Sequence, residues 1–135
     1  MKISDVMTTA VQVAAPTDTV RDVARRMSEI DSGVIPIVDN GAVVGVVTDR
    51  DIVIRVIAED RDSEIAISEI MTTQVETCRE SDSLKSATKK MANLQMRRMV
   101  ILDDTGALVG ILSLGDVARE DSARVTGHVL EEISE

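Results

Sequence analysis

The sequence predicts an α/β fold made of two similar βαββα repeats, and three observations predict it. Ile3-Ser4-Asp5-Val6-Met7-Thr8-Thr9 returns as Ile67-Ser68-Glu69-Ile70-Met71-Thr72-Thr73, an offset of 64 positions. At the same offset Val11 meets Val75, Asp18 meets Asp82, Met27 meets Met91 and Ile37 meets Ile101. One inserted residue near Thr105 then lays Gly41-Ala42-Val43-Val44-Gly45 on Gly106-Ala107-Leu108-Val109-Gly110, and Asp51-Ile52 on Asp116-Val117. A register kept through a whole unit marks a duplication, and repeats of this kind set architecture. The second observation is an apolar stripe at helical spacing in each half, and the third is a pair of β-branched runs behind it.

The elements follow in order. After the Met-Thr-Thr turn, Val11-Gln12-Val13 is a short strand candidate, and Pro16-Thr17-Asp18 supplies capping chemistry for a helix. Val20, Val23, Ala24, Met27 and Ile30 form its apolar face. Leu84, Ala87, Thr88, Met91 and Leu94 hold the equivalent places in the second half. Val34-Ile35-Pro36-Ile37-Val38 and Val43-Val44-Gly45-Val46-Val47 are strands joined by Asp39-Asn40-Gly41, a hairpin signal. Pro36 cannot donate to a ladder, so one side of its strand is expected to be unpaired or near an edge. A last helix starts near Asp51 and runs through Ile52, Ile54, Arg55 and Ile57. Residues 1–60 thus read as one repeat, 61–120 as the second, with Glu59 to Glu64 a charged linker. Neither half has enough core to stand alone, so their sheets are expected to pack together. Residues 121–135 read as a short amphipathic helix striped by Val125, Val129, Leu130 and Ile133, which either folds back on the module or docks on another subunit.

Composition narrows the function. A net charge of −9, with no long basic block, disfavours binding to a phosphate backbone. The chain has no Phe, Tyr or Trp, so single-stranded bases would find no ring to stack on. A planar ligand would have to lie between aliphatic side chains. No apolar run is long enough to span a bilayer, and the N-terminus lacks the apolar core of a secretion signal. One cysteine, Cys78, cannot form an internal disulfide, and the expected location is cytoplasmic.

The chemistry concentrates where the last strand of each repeat meets the last helix. Gly45-Val46-Val47-Thr48-Asp49-Arg50-Asp51 and Gly110-Ile111-Leu112-Ser113-Leu114-Gly115-Asp116 share the form Gly, two apolar residues, a hydroxyl, two variable residues, Asp. A helix N-terminus suits a phosphate, a hydroxyl donates to one of its oxygens, and a carboxylate one turn on accepts the hydroxyls of a ribose. The same spacing is also a capping box, which needs no ligand. That both copies keep a hydroxyl and Asp favours a site.

Together these features resemble the cystathionine β-synthase (CBS) domain, as a tandem pair often called a Bateman module. The resemblance runs from Ile3 to about Val117 and rests on the Met-Thr-Thr openings, the Val-Ile-Pro-Ile-Val-Asp strand and the two Gly-x-x-Thr/Ser-x-x-Asp signatures. It implies halves related by a pseudo-twofold axis, two clefts, and modules that commonly pair into a disk-like homodimer. It further implies regulatory, non-catalytic binding of AMP, ADP or ATP, with S-adenosylmethionine and NAD as alternatives, acting on a partner protein. Carried across, Thr48 and Asp51 match the phosphate and ribose contacts of one cleft, and Ser113 and Asp116 those of the other. Ala10-Val11 and Gln74-Val75 match backbone partners of the adenine edge, while Ile35-Pro36 and Met99-Val100 resemble the walls of the base pocket. Arg97 and Arg98 match positions of a basic phosphate contact; the alternative is a solvated pair at a helix end.

The repeats depart from one another at informative places. Gly33-Val34 stands where the second half has Arg97-Arg98, and Val100 stands in place of Pro36. Arg50 would help a phosphate that Asp49 opposes, and Leu114-Gly115 replaces both. The clefts are therefore expected to be unequal. His128 is the only histidine and none lies at chelating spacing to Cys78, so no metal is expected. Cys78 reads as a small strand residue, and Asp103-Asp104 and Glu131-Glu132 as turn and helix-surface carboxylates. Met27, Met91, Met96 and Met99 read as core fillers, with Met96 and Met99 also candidates for a pocket or dimer contact. Three functions remain: a nucleotide sensor, a ligand-free interaction scaffold, and an enzyme, for which no base, metal cluster or phosphate-cradling loop is evident.

Overall fold

The computed structural model describes residues 1–120; the tail read as helical, 121–135, lies outside them. The described chain forms two compact units, one of residues 10–76 and 106–108, the other of residues 1–9, 77–105 and from 109 onward. These units are not the sequence repeats. Each contains the Met-Thr-Thr opening of the other repeat, because those openings complete its sheet and core. The former is the first-repeat unit and the latter the second-repeat unit.

In the first-repeat unit, Thr19 caps helix α1 (Val20–Ile30) by accepting from the Asp22 N–H at 3.1 Å. The cap sits beyond the Pro16-Thr17-Asp18 signal because Asp18 is used elsewhere. Its carboxylate accepts from the Ala15 N–H at 2.9 Å and from Arg26 at 2.8 Å. Those bonds hold its pKa below the ordinary carboxylate value of 3.8, the Ala15 N–H contributing most, against the opposing effect of burial. Val20, Val23 and Met27 are buried, whereas Ala24 and Ile30 face solvent, so the apolar face is narrower than its periodicity suggests. Leu94, one repeat on from Ile30, is exposed in the same way.

Strands β1 (Val34–Asp39) and β2 (Ala42–Thr48) pair antiparallel through a two-residue turn. Asn40 and Gly41 both have positive φ, 51° and 79°, which the Asn-Gly pair supplies at low steric cost. Helix α2 (Asp49–Ile52) runs on into a π-helical turn, Val53–Ile57. Ile52 and Val56 are buried, while Val53, Ile54 and Ile57 are exposed. Ile35, Ile37, Val47, Ile52, Val56, Ile67 and Ile70 pack with the α1 residues into one core.

The expected strand at Val11-Gln12-Val13 is not formed. A single parallel bridge, Ala14 to Ile37, takes its place: the Ala14 N–H donates to the Pro36 carbonyl at 3.1 Å, and the Val38 N–H to the Ala14 carbonyl at 2.8 Å. In the other unit β3 (Thr77–Arg79) makes a true parallel ladder with β4 (Arg98–Leu102), pairing Thr77 with Val100 and Arg79 with Leu102. The two prolines of the chain explain the difference. Pro36 stands where Val100 stands and has no N–H to give on that side. Pro16 stands where Glu80 donates its N–H to the Leu102 carbonyl at 2.9 Å, and cannot do the same. One proline on each side trims the ladder to its central bridge.

The second-repeat unit otherwise repeats the pattern. Ser83 caps α3 (Leu84–Leu94) by accepting from the Ser86 N–H at 3.1 Å, and β4 lies between β3 and β5 (Leu108–Ser113). Both helices end on a left-handed residue, Asp31 and Gln95, one repeat apart. Cys78, Leu84, Met91, Met99, Ile101, Leu112 and Val117 form its core with Ile3 from the opening segment, and Met96 packs against it. Asp103 accepts from the Thr105 N–H and hydroxyl, a turn role, and Asp104 faces Arg79. Among the described residues no helix is long and apolar enough to cross a membrane.

Candidate functional site

The first-repeat corner begins where β2 ends. The Thr48 N–H donates to Oδ2 of Asp51 at 2.9 Å, and the Asp51 N–H donates back to Oγ1 of Thr48 at 3.1 Å. This is the reciprocal capping box that the spacing allowed. The Met71-Thr72 strap crosses β2 beside it: the Val46 N–H donates to the Thr72 carbonyl at 3.0 Å, and the Thr72 N–H to the Val46 carbonyl at 2.9 Å. Arg55 ties strap to corner. It donates to the Ile70 carbonyl at 2.8 Å and the Thr72 hydroxyl at 3.1 Å, and stands 3.8 Å from Oδ1 of Asp51.

The glycine of the signature now has a physical reason. A Cβ on Gly45 would lie 2.5 Å from Sδ of Met71 and 3.1 Å from the Thr72 carbonyl oxygen. A Cβ on Gly110 would meet Sδ of Met7 at 2.7 Å and the Thr8 carbonyl oxygen at 2.9 Å. In both units the glycine is the floor on which the Met-Thr strap lies, and that contact carries a threonine to the corner.

The second-repeat corner repeats the geometry with a more enclosed carboxylate. The Ser113 N–H donates to Oδ2 of Asp116 at 3.1 Å, and the Asp116 N–H donates to Oγ of Ser113 at 3.0 Å. Thr8, held by paired backbone bonds with Ile111 at 2.9 Å, donates its hydroxyl to both carboxylate oxygens at 3.4 Å. Arg119 donates to Oδ1 of Asp116 from a largely exposed position. Asp116 is only 6 % exposed, the one buried charged residue among those described. Each corner thus presents a carboxylate, two hydroxyls and a guanidinium, an array able to hold a sugar and an anionic group. Among the described residues no group of three His, Cys, Asp or Glu is arranged to hold a metal ion.

The remaining candidates distribute unevenly. Arg97 sits beside its corner, its carbonyl accepting from the Leu114 N–H at 2.9 Å, and both Arg97 and Arg98 are exposed. Arg50 is exposed at the first corner. Ala10 and Gln74 are exposed and Val11 and Val75 half-buried; among the described residues none is hydrogen-bonded to a corner. Ile35 and Met99 belong to the cores of their own units, and Pro36 and Val100 are buried on the opposite strand faces. Sequence reasoning did not single out Thr8, Thr72, Arg55 or Arg119. The duplicated Met-Thr-Thr was the signal for the threonines. The arginines sit at different offsets from their aspartates, three residues on in one corner and four in the other, so repeat matching passes over them.

Comparison with known proteins agrees with this architecture. The CBS domain model matches the chain twice, over residues 3–58 and 67–123, and the chain belongs to that family. The CBS domain-containing protein YhcV of Bacillus subtilis is 38% identical over 133 residues, covering 98% of this chain and 94% of its own. The CBS domain pair of protein MJ0100, solved with 5′-methylthioadenosine and S-adenosyl-L-methionine, superposes with a TM-score of 0.83 at 25% identity, covering 92% of this chain and 98% of that one. CBS domain protein PAE2072 from Pyrobaculum aerophilum, solved with AMP, gives a TM-score of 0.79 at 26% identity, covering 86% and 89%.

Proposed function

We propose that the chain is a regulatory module that binds adenosyl ligands (AMP, ADP or ATP first among them) at the Thr48/Asp51 and Ser113/Asp116 corners, without catalysis of its own. The observation that carries this is the twin corner itself, a carboxylate, two hydroxyls and a guanidinium built twice on one frame. The AMP, S-adenosylmethionine and methylthioadenosine held by related CBS proteins support the ligand class. In this reading Ala10, Val11, Gln74 and Val75 meet the adenine edge through their backbone, and Pro36 and Val100, on the strand faces away from the unit cores, bound the base. Arg97 and Arg98 meet phosphate. The output passes to a partner protein in the cytoplasm, and the exposed Val53, Ile54 and Ile57 offer an apolar surface for pairing with a second module.

The test is direct. A chain without Phe, Tyr or Trp absorbs little near-ultraviolet light, so adenine retained through purification shows as an absorbance band and is identified by extraction and mass spectrometry. Adenosyl compounds are expected to raise the melting temperature, and Asp116→Ala to abolish part of that rise. One specific observation favours a second reading. Both corners are complete capping boxes closed by their own residues, which is what a ligand-free interaction scaffold requires. No binding heat and no thermal shift with any adenosyl compound at millimolar concentration would establish that scaffold instead.

A further inference from the structure

The two corners satisfy their leading helix N–H groups differently, and the difference carries charge. After Thr48 all three are taken. The Asp49 N–H donates to the Gly33 carbonyl at 2.9 Å, the Arg50 N–H to Oδ1 of Asp49 at 2.9 Å, and the Asp51 N–H to Oγ1 of Thr48 at 3.1 Å. The second of these acceptors is a carboxylate, so a built-in anion already occupies that donor. It lies flat on Gly33, where a Cβ would stand 2.8 Å from Oδ2 and 3.1 Å from Oδ1. Glycine at 33 is what lets Asp49 lie there.

The second-repeat unit keeps the frame and changes the charge. The Leu114 N–H donates to the Arg97 carbonyl at 2.9 Å and the Asp116 N–H to Oγ of Ser113 at 3.0 Å, but no described residue accepts from the Gly115 N–H. Arg97 stands where Gly33 stands, and Leu114 where Asp49 stands. A Cβ on Gly115 would lie 3.7 Å from Nη1 of Arg119, so a guanidinium flanks the unused donor. Around the first corner Asp49 and Asp51 balance Arg50 and Arg55. Around the second, Asp116 pairs with Arg119, and Arg97 adjoins through its backbone carbonyl.

We infer that Asp49, seated on Gly33, sets ligand charge selectivity: it bars phosphate-bearing adenosyl ligands from the first-repeat corner, which takes uncharged ones, and confines phosphate to the second. This deepens the adenosyl-binding reading and rests on it. Two like charges in a partly screened site repel strongly enough to separate the corners by at least about tenfold in phosphate-ligand affinity.

Equilibrium dialysis and calorimetry of the whole chain, with AMP and 5′-methylthioadenosine as probes, test it. One AMP but two methylthioadenosines per chain are expected. Asp49→Asn keeps an acceptor for the Arg50 N–H and removes the charge, and is expected to admit a second AMP with at least about a tenfold gain at that corner. Gly33→Arg with Asp49→Leu, copying the other corner, is expected to do the same. Two equal AMP sites in the wild type, one methylthioadenosine per chain, or an AMP isotherm unchanged by Asp49→Asn would each overturn the inference while adenosyl binding stands. Failure of both probes to bind removes the adenosyl reading and this inference together.

Discussion

Replacing Asp116 by Ala removes a buried carboxylate that accepts from the Ser113 N–H at 3.1 Å and the Thr8 hydroxyl at 3.4 Å and pairs with Arg119. The cap bond from the Asp116 N–H to Oγ of Ser113 survives, because its donor is backbone, but the half-buried Ser113 N–H loses its partner, at a cost of about 2 kcal/mol. The two remaining contacts add little: the Thr8 bond is long, and Arg119 is 75 % exposed, where an ion pair is worth between zero and about 1 kcal/mol. The sum is about 2 kcal/mol. Asp51→Ala removes the equivalent bond from the Thr48 N–H, but its side chain is 18 % exposed, so water can replace part of what that N–H loses, and the cost is about 1 kcal/mol. With a urea slope of about 2 kcal/mol per molar, the midpoints of the two variants are expected to fall by about 1 M and about 0.5 M. Urea titrations followed by far-ultraviolet circular dichroism measure both. An Asp51 variant as destabilised as the Asp116 variant, or more so, would refute the assignment of unequal burial and partners to the corners.

Gly45→Ala and Gly110→Ala are each expected to cost about 1–3 kcal/mol in thermal or urea unfolding, since the new Cβ meets a strap carbonyl as well as a methionine sulfur. Faster amide exchange at Thr72 and Thr8 respectively would confirm that the strap has lifted. Pro16→Ala with Pro36→Val restores both missing donors, so residues 12–16 are expected to become a parallel strand with slowly exchanging amides at positions 16 and 36. Rapid exchange at both would contradict the role given to the prolines. Asp18→Asn removes a carboxylate whose pKa is lowered by the Ala15 N–H and Arg26. A lowered folded-state value means the stabilisation is present above about pH 3.8 and is lost as pH falls through the lower folded value. The gap in melting temperature between wild type and variant is therefore expected at neutral pH and to close in acid.

The candidate site was legible in outline only. Thr48, Asp51, Ser113 and Asp116 stand out because two copies of a short signature are hard to obtain without a shared geometry. Whether those residues cap or bind was not legible, and the structure shows why: the same oxygen atoms perform the capping bonds and face the corner. Arg55 and Arg119 escaped notice because equivalent roles are filled from different helical positions, and a guanidinium reaches far enough for either to serve.

The sequence by itself determined the duplication, both long helices, the Asn-Gly hairpin and the two corners, because helical period, turn chemistry and repeated spacing are local and each leaves a mark on neighbouring residues. It did not reveal that each Met-Thr-Thr opening packs in the unit of the other repeat, that Pro16 and Pro36 act together on one bridge, or that Asp49 closes over Gly33 onto the Arg50 N–H. Those depend on which segments meet across tens of residues. A periodic pattern says which face of an element is buried, but only the assembled tertiary structure decides what buries it and which donors are left unused.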